Sequence, residues 1–166
     1  MTTAAEIRRM LDMQPHPEGG WFAEIHRAPD QLAADALPAG YDGPRSVSTA
    51  IYYMLEGAAI STLHRLRSDE IFHFYLGDPV EQLWLMPDGS HQLVTIGNDL
   101  AAGQRPQVVV PRNVWQGARV CGGQGFALLG TTVAPGFDFA DFEIGQRDDL
   151  LEGWPDAAPL IRELTH

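Results

Sequence analysis

The hydrophobic pattern of this chain changes period at Trp21. Ahead of it, Ile7, Met10 and Leu11 recur at helical spacing behind Thr3-Ala4-Ala5-Glu6. Thr3 and Glu6 are placed as a capping box, in which each residue satisfies the other's backbone amide. This predicts a helix over about residues 3–13, stopped ahead of Pro15 and Pro17, whose rings cannot continue it. Beyond Trp21 the apolar positions fall into short runs at strand period, at 21–28, 48–55, 61–66, 70–76, 81–86, 91–96, 107–110, 115–120 and 126–133. Pro87-Asp88-Gly89 lies between two of them and predicts a hairpin, since Pro presets φ and Gly accepts positive φ. Residues 29–46, polar and rich in Ala, Pro and Gly, predict a long loop, and 146–152 and 157–164 predict short terminal helices or turns. Many short strands with no long helix between them predict an all-β antiparallel sandwich or barrel, as one domain over 1–166.

Composition narrows the class. The 17 glycines and 12 prolines are spread through the 166 residues, as tight turns between strands require. A net charge of −11 repels phosphate backbones and argues against sequence-independent nucleic-acid binding. No apolar run approaches the ~18 residues of a membrane span, and the N-terminus lacks the basic-then-apolar signature of a secretory signal. Cys121 is the only cysteine, so no internal disulfide forms. A cytoplasmic protein is expected.

Two runs carry informative spacing: His64-Arg65-Leu66-Arg67-Ser68-Asp69-Glu70 followed by Gly77, and Pro111-Arg112-Asn113-Val114-Trp115-Gln116. They resemble the two motifs of cupin barrels, H-x-H with a downstream E and G, and P-x-G-x-x-H. Leu66 replaces the second histidine of the first motif. Asn113 stands at the glycine of the second, a mild change because Asn tolerates positive φ, and Gln116 stands at its histidine. Longer blocks are similar to one small single-domain cupin subfamily of unknown function. These are His16-Pro17-Glu18-Gly19-Gly20-Trp21-Phe22, Thr49 to Tyr52, Ser68 to Phe74, Val110 to Ala118, and Val133-Ala134-Pro135-Gly136-Phe137-Asp138-Phe139-Ala140-Asp141-Phe142. The resemblance implies a double-stranded β-helix, the cupin jelly-roll barrel, with short N- and C-terminal helices. It further implies a homodimer and a pocket for a small, sugar-like or nucleotide-sugar-like ligand.

Strand alternation puts Thr62, His64 and Leu66 on one face, and the resemblance makes that face the inner one. Glu70, Phe72 and Phe74 then face the same cavity, with Gln116 and Ala118 from a third strand, while His73 points outward. A cupin metal centre takes three imidazoles and one carboxylate. Only His64 and Glu70 remain as strong ligands here, with Gln116 as a weak neutral oxygen, so a divalent metal would rest on a reduced set. Without a metal, His64 and Glu70 form a general acid/base pair. Metal-free cupin epimerases add a tyrosine acid, for which Tyr52 or Tyr75 is the candidate. Ligand contacts are expected from Glu18, Tyr52, Thr62, Phe72, Phe74, Trp115 and Gln116. Glu18 has a second reading, in which it satisfies the amides of the Gly19-Gly20 turn. Glu24 and His26 suit the pocket mouth or a dimer seam. The segment 137–143 suits a packed loop closing one end of the barrel, with Asp138 or Asp141 reaching the pocket as the alternative. Three functions follow: a metal-independent isomerase or epimerase, a non-catalytic ligand sensor, and a metal-dependent enzyme with a reduced ligand set.

Overall fold

The computed structural model describes residues 2–166. Helix α1 (Ala4–Met10) begins at the expected capping box: the Glu6 amide donates to Thr3 Oγ1 at 3.3 Å, and the Thr3 amide donates to the Glu6 carboxylate at 2.8 Å. It ends at Met10, three residues earlier than the hydrophobic spacing suggested.

The strands build two sheets. One runs in the order β1 (Gln14–Pro15), β2 (Trp21–Arg27), β5 (Thr49–Glu56), β12 (Phe126–Ala134), β7 (Asp69–Gly77) and β10 (Gln107–Val110). The other runs β13 (Glu143–Ile144), β6 (Ile60–Arg65), β11 (Trp115–Val120), β8 (Val80–Leu85) and β9 (His91–Ile96). All the pairings between named strands are antiparallel, and the expected all-β jelly roll is the fold. The turn between β8 and β9 is the predicted one, with Gly89 at φ 86° and its amide bonded to the Met86 carbonyl. Residues 29–46 are not wholly loop. They hold a small ribbon of β3 (Gln31–Leu32) and β4 (Arg45–Ser46). Arg45 anchors it, buried, with Nε and Nη2 donating to the two oxygens of Asp141.

The sheets pack on each other by their inner faces, and helices cover part of each outer face. Between them, Tyr53, Leu55, Phe72, Ala127 and Leu129 of the first sheet pack against Val80, Ile96, Ala118 and Val120 of the second. Outside the first sheet, α1 lays Ala4 and Ile7 on Met54 and Leu128, with Tyr52 and Trp21 at the margin. Outside the second, the terminal helices α2 (Arg147–Gly153) and α3 (Ala158–Glu163) cover Leu63, Leu83, Leu85 and Trp115 with Leu150 and Ile161. Among the described residues, no helix is long and apolar enough to cross a membrane.

Candidate functional site

One end of the barrel interior is solid and the other is hollow. The hollow end is a cavity of about 240 Å³ that receives His64, Glu70 and Glu18. Glu18 arrives on a tight turn in which the Gly19 amide bonds the His16 carbonyl and the Thr62 amide bonds the Glu18 carbonyl. Gly19 holds φ 109°, and a Cβ there would collide with the Ile60 carbonyl oxygen, so only glycine lets the turn lie this close to β6. The Glu18 carboxylate does not serve the turn. Its own amide donates to His16 Nδ1, and its oxygens face Ser61 Oγ at 2.7 Å and His64 Nε2 at 3.1 Å. Ser61 reaches it because the β6–β11 register slips between the pairs Gln116–His64 and Ala118–Ser61.

The tautomer of His64 follows from its partners. Nδ1 lies 2.7 Å from the Thr62 carbonyl, which can only accept, so Nδ1 carries the hydrogen. The basic nitrogen is therefore Nε2, the one facing Glu18. Burial pushes the Glu18 carboxyl above the usual carboxylate range and pulls His64 below the usual imidazole range. Both shifts favour the uncharged forms of the two groups. The sequence paired His64 with Glu70. The structure instead puts the Glu18 carboxylate 3.1 Å from His64 Nε2 and leaves Glu70 as a charge acting across the cavity.

Glu70 comes from the opposing sheet, and burial raises its carboxyl to about 7 against the pull of His64. Behind it runs a polarised chain. Trp84 Nε1 donates to Gln82 Oε1, Gln82 Nε2 to Gln116 Oε1, and Gln116 Nε2 to Glu70 Oε2, at 2.9, 2.8 and 2.7 Å. An indole can only donate, so it fixes the direction of both amides. The Gln116 oxygen is thus turned away from the cavity. With Leu66 as a second cavity residue in a histidine's place, the side chains present do not fit the cupin metal set. Among the described residues, no three His, Cys, Asp or Glu side chains converge as metal ligands.

Of the other expected contacts, Glu18 and Phe72 line the cavity, and Gln116 lies behind it. Tyr52, Thr62, Phe74 and Trp115 do not line it. Tyr52 faces outward and meets Tyr75 edge-on at 6.0 Å. The slip in β6 replaces Thr62 by Ser61 at Glu18. Phe74 belongs to the solid end. Trp115 points away from its neighbour Gln116 and packs under the terminal helices, with the Arg65 guanidinium 4.4 Å above its ring. The tyrosine in the cavity is Tyr53, whose hydroxyl donates to the Gly19 carbonyl at 2.8 Å and which burial holds protonated. Asp138 and Glu24 line the cavity, whereas Asp141 is taken by Arg45. His73 faces out and meets Thr132 Oγ1 at 3.1 Å.

The sequence reading missed His16, Tyr53, Arg27, Thr131 and the rings of Phe22, Phe137, Phe139 and Phe142 as lining residues. His16 stood two residues before Glu18 in a block already singled out. The three Phe rings of 137–142 meet one another edge-on at the mouth, and Phe139 and Phe142 also meet His16.

Comparison with known proteins bears on the family and the fold. A family profile described as "Cupin superfamily (DUF985)" matches residues 5–145. YML079W of Saccharomyces cerevisiae, itself uncharacterized, is 30% identical over 146 residues, which is 82% of this chain and 72% of that one. The crystal structure of SO0799 from Shewanella oneidensis superposes with a TM-score of 0.88 at 31% identity, covering 100% of this chain and 99% of the other. A hypothetical protein from Leishmania major gives 0.89 at 28% identity, over 99% of both chains. Oxalate decarboxylase from Bacillus subtilis shares the fold alone, with a TM-score of 0.53 and 12% identity over 92% of this chain and 37% of that one. The chain belongs to the DUF985 family of the cupin superfamily.

Proposed function

We propose that this DUF985 cupin binds a small carbonyl compound in its barrel cavity and moves a proton on it without a metal, as an isomerase or epimerase. The observation that carries this reading is the placement of ionisable groups on two opposed walls. Glu70 stands on β7 of one sheet, and His64, with Glu18, stands against it from β6 of the other. A carboxyl near 7 is matched to removing a proton from carbon at neutral pH. The Glu18–His64 pair delivers one proton to the carbonyl oxygen as the enol forms. Return of the proton from Glu70 to the neighbouring carbon, as a substrate hydroxyl gives its proton back to the Glu18–His64 pair, completes an isomerisation; in an epimerisation the pair takes back the enol proton and passes it to the opposite face of carbon, and both walls reset by exchange with solvent. The Gln82–Gln116 chain keeps Glu70 Oε2 as an acceptor and leaves Oε1 to exchange the proton.

The test is deuterium incorporation from D2O at carbon beside the carbonyl, followed by NMR with small aldoses, ketoses and amino sugars. Incorporation by the wild-type chain, lost in both Glu70→Gln and His64→Gln, is the expected result. Saturable binding of one of these compounds with no incorporation would overturn the catalytic reading and leave a ligand-binding protein.

A further inference from the structure

The cavity wall is aromatic and acidic, and its one arginine is already engaged. Glu18, Glu24, Glu70 and Asp138 contribute four carboxyl groups, against Arg27 and the imidazoles of His16 and His64, both of which burial pulls below the usual imidazole range. Arg27 Nε and Nη2 donate to the two oxygens of Glu24 at 3.0 and 2.8 Å, and Nη2 also donates to the Phe137 carbonyl at 3.1 Å. The guanidinium fork, the group best shaped to hold a phosphate or carboxylate, is spent on holding the mouth together. Even with Glu18 and Glu70 protonated, Glu24 and Asp138 outnumber it. An anion entering here passes the like charge of Glu24 and Asp138 at the mouth. The remaining wall consists largely of ring faces, with Phe22, Tyr53, Phe72, Phe137, Phe139 and Phe142 around the space. Such faces stack on rings and attract cations through their quadrupoles. At about 240 Å³ the cavity is smaller than the roughly 300–1,000 Å³ that encloses drug-sized ligands.

We infer that the cavity selects small, uncharged or cationic ring compounds and excludes phosphorylated ones, including the nucleotide-sugar class expected from sequence. This rests on the cavity being the ligand site proposed above. Charge, ring faces and volume act together: the rings hold the ligand body, the protonated or ionised carboxyls take its hydroxyl or ammonium groups, and the Glu24–Arg27 clamp denies a phosphate its natural partner.

Two matched sets of probes test it with the intact wild-type chain at pH 7 and low salt. One is benzylamine, benzyl alcohol and benzyl phosphate. The other is glucosamine, glucose and glucose 6-phosphate. Dissociation constants come from NMR titration. In at least one set, the amine and the neutral member should bind at least about tenfold tighter than the phosphate. Glu24→Gln, which removes one carboxylate and releases the Arg27 fork, should narrow that gap from the phosphate side. Equal or tighter binding of the phosphate by the wild type overturns the inference, as does the absence of binding by all six probes. Failure of deuterium incorporation with the preference intact would remove the proposed reaction and leave the selectivity standing.

Discussion

The two ends of the barrel interior are built on the same strands and differ in what the strands carry. Along β5 the inward positions read Thr49, Ile51, Tyr53 and Leu55; along β12 they read Val133, Thr131, Leu129 and Ala127. At one end these side chains close completely, with Leu55, Ala127, Leu129, Val80, Ile96 and Val120 without solvent exposure. At the other they step back and leave room for Glu18, His64 and Glu70. The Gln82–Gln116 amides lie on the inner face and tie Glu70 to Trp84. Dispersion and burial at the solid end hold the sheets at a fixed separation. The hollow end then keeps three ionisable groups dry without collapsing onto them. Stability and chemistry are thus assigned to different stretches of the same strands.

Substitutions at each end should separate these duties. Glu70→Gln is expected to lower deuterium incorporation by about 10²–10⁴-fold, the usual contribution of a positioned acid or base, while the fold is retained by circular dichroism. Leu129→Ala, at the solid end, should lower stability by about 2–5 kcal/mol in urea unfolding and leave exchange per folded molecule unchanged. Parallel losses of stability and exchange in both variants would break the division.

Titration sharpens it. The folded Glu70 carboxyl sits at about 7, above its ordinary 4.5. Between those values the folded state binds more protons than the unfolded one. Stability from this group therefore falls as pH rises from about 4.5 to about 7 and is flat beyond. The full change is on the order of 3 kcal/mol. Glu70→Gln removes it, so the variant should gain on the wild type across that window and melt higher at pH 8. His64, whose lowered value acts in the opposite sense, is present in both proteins, so the difference between them reports Glu70 together with its coupling to His64. A constant difference from pH 4 to pH 8 would contradict the buried carboxyl.

Gln116→Leu removes the donor to Glu70 Oε2 and strands the Gln82 amide. A loss of about 1–3 kcal/mol is expected, with the Glu70-dependent limb of the exchange pH profile moved upward by roughly one unit. The smallest effect belongs to the turn that leads into β11. Asn113 holds φ 63° there, so Asn113→Gly should be nearly neutral and Asn113→Ala should cost about 1 kcal/mol by thermal melting.

Asn113 also marks what was legible beforehand. Its departure from the glycine of the cupin motif read as a residue tolerant of positive φ, and it occupies that conformation. The Thr3–Glu6 capping box, the Pro87–Gly89 hairpin and the closing segment 137–142 were readable for the same reason: their signals lie within a few residues of one another. The spacing of His64 and Glu70 likewise brought both to one cavity. The tyrosine was not legible. The run Ala50-Ile51-Tyr52-Tyr53-Met54-Leu55 is apolar on both faces, because α1 covers one face and the barrel core takes the other.

By itself, then, the sequence determined an all-β chain of short antiparallel strands, where its turns fall, and which side chains alternate together. Alternation is a local property of an extended backbone, and turn chemistry needs only neighbouring residues. Tertiary structure alone decided that Glu18 rather than Glu70 lies against His64, that Ser61 displaces Thr62 at the slip in β6, and that Trp84 orients Gln116 through Gln82. Each of these depends on a partner delivered by a different strand or turn, and on a donor or acceptor direction that no single strand specifies.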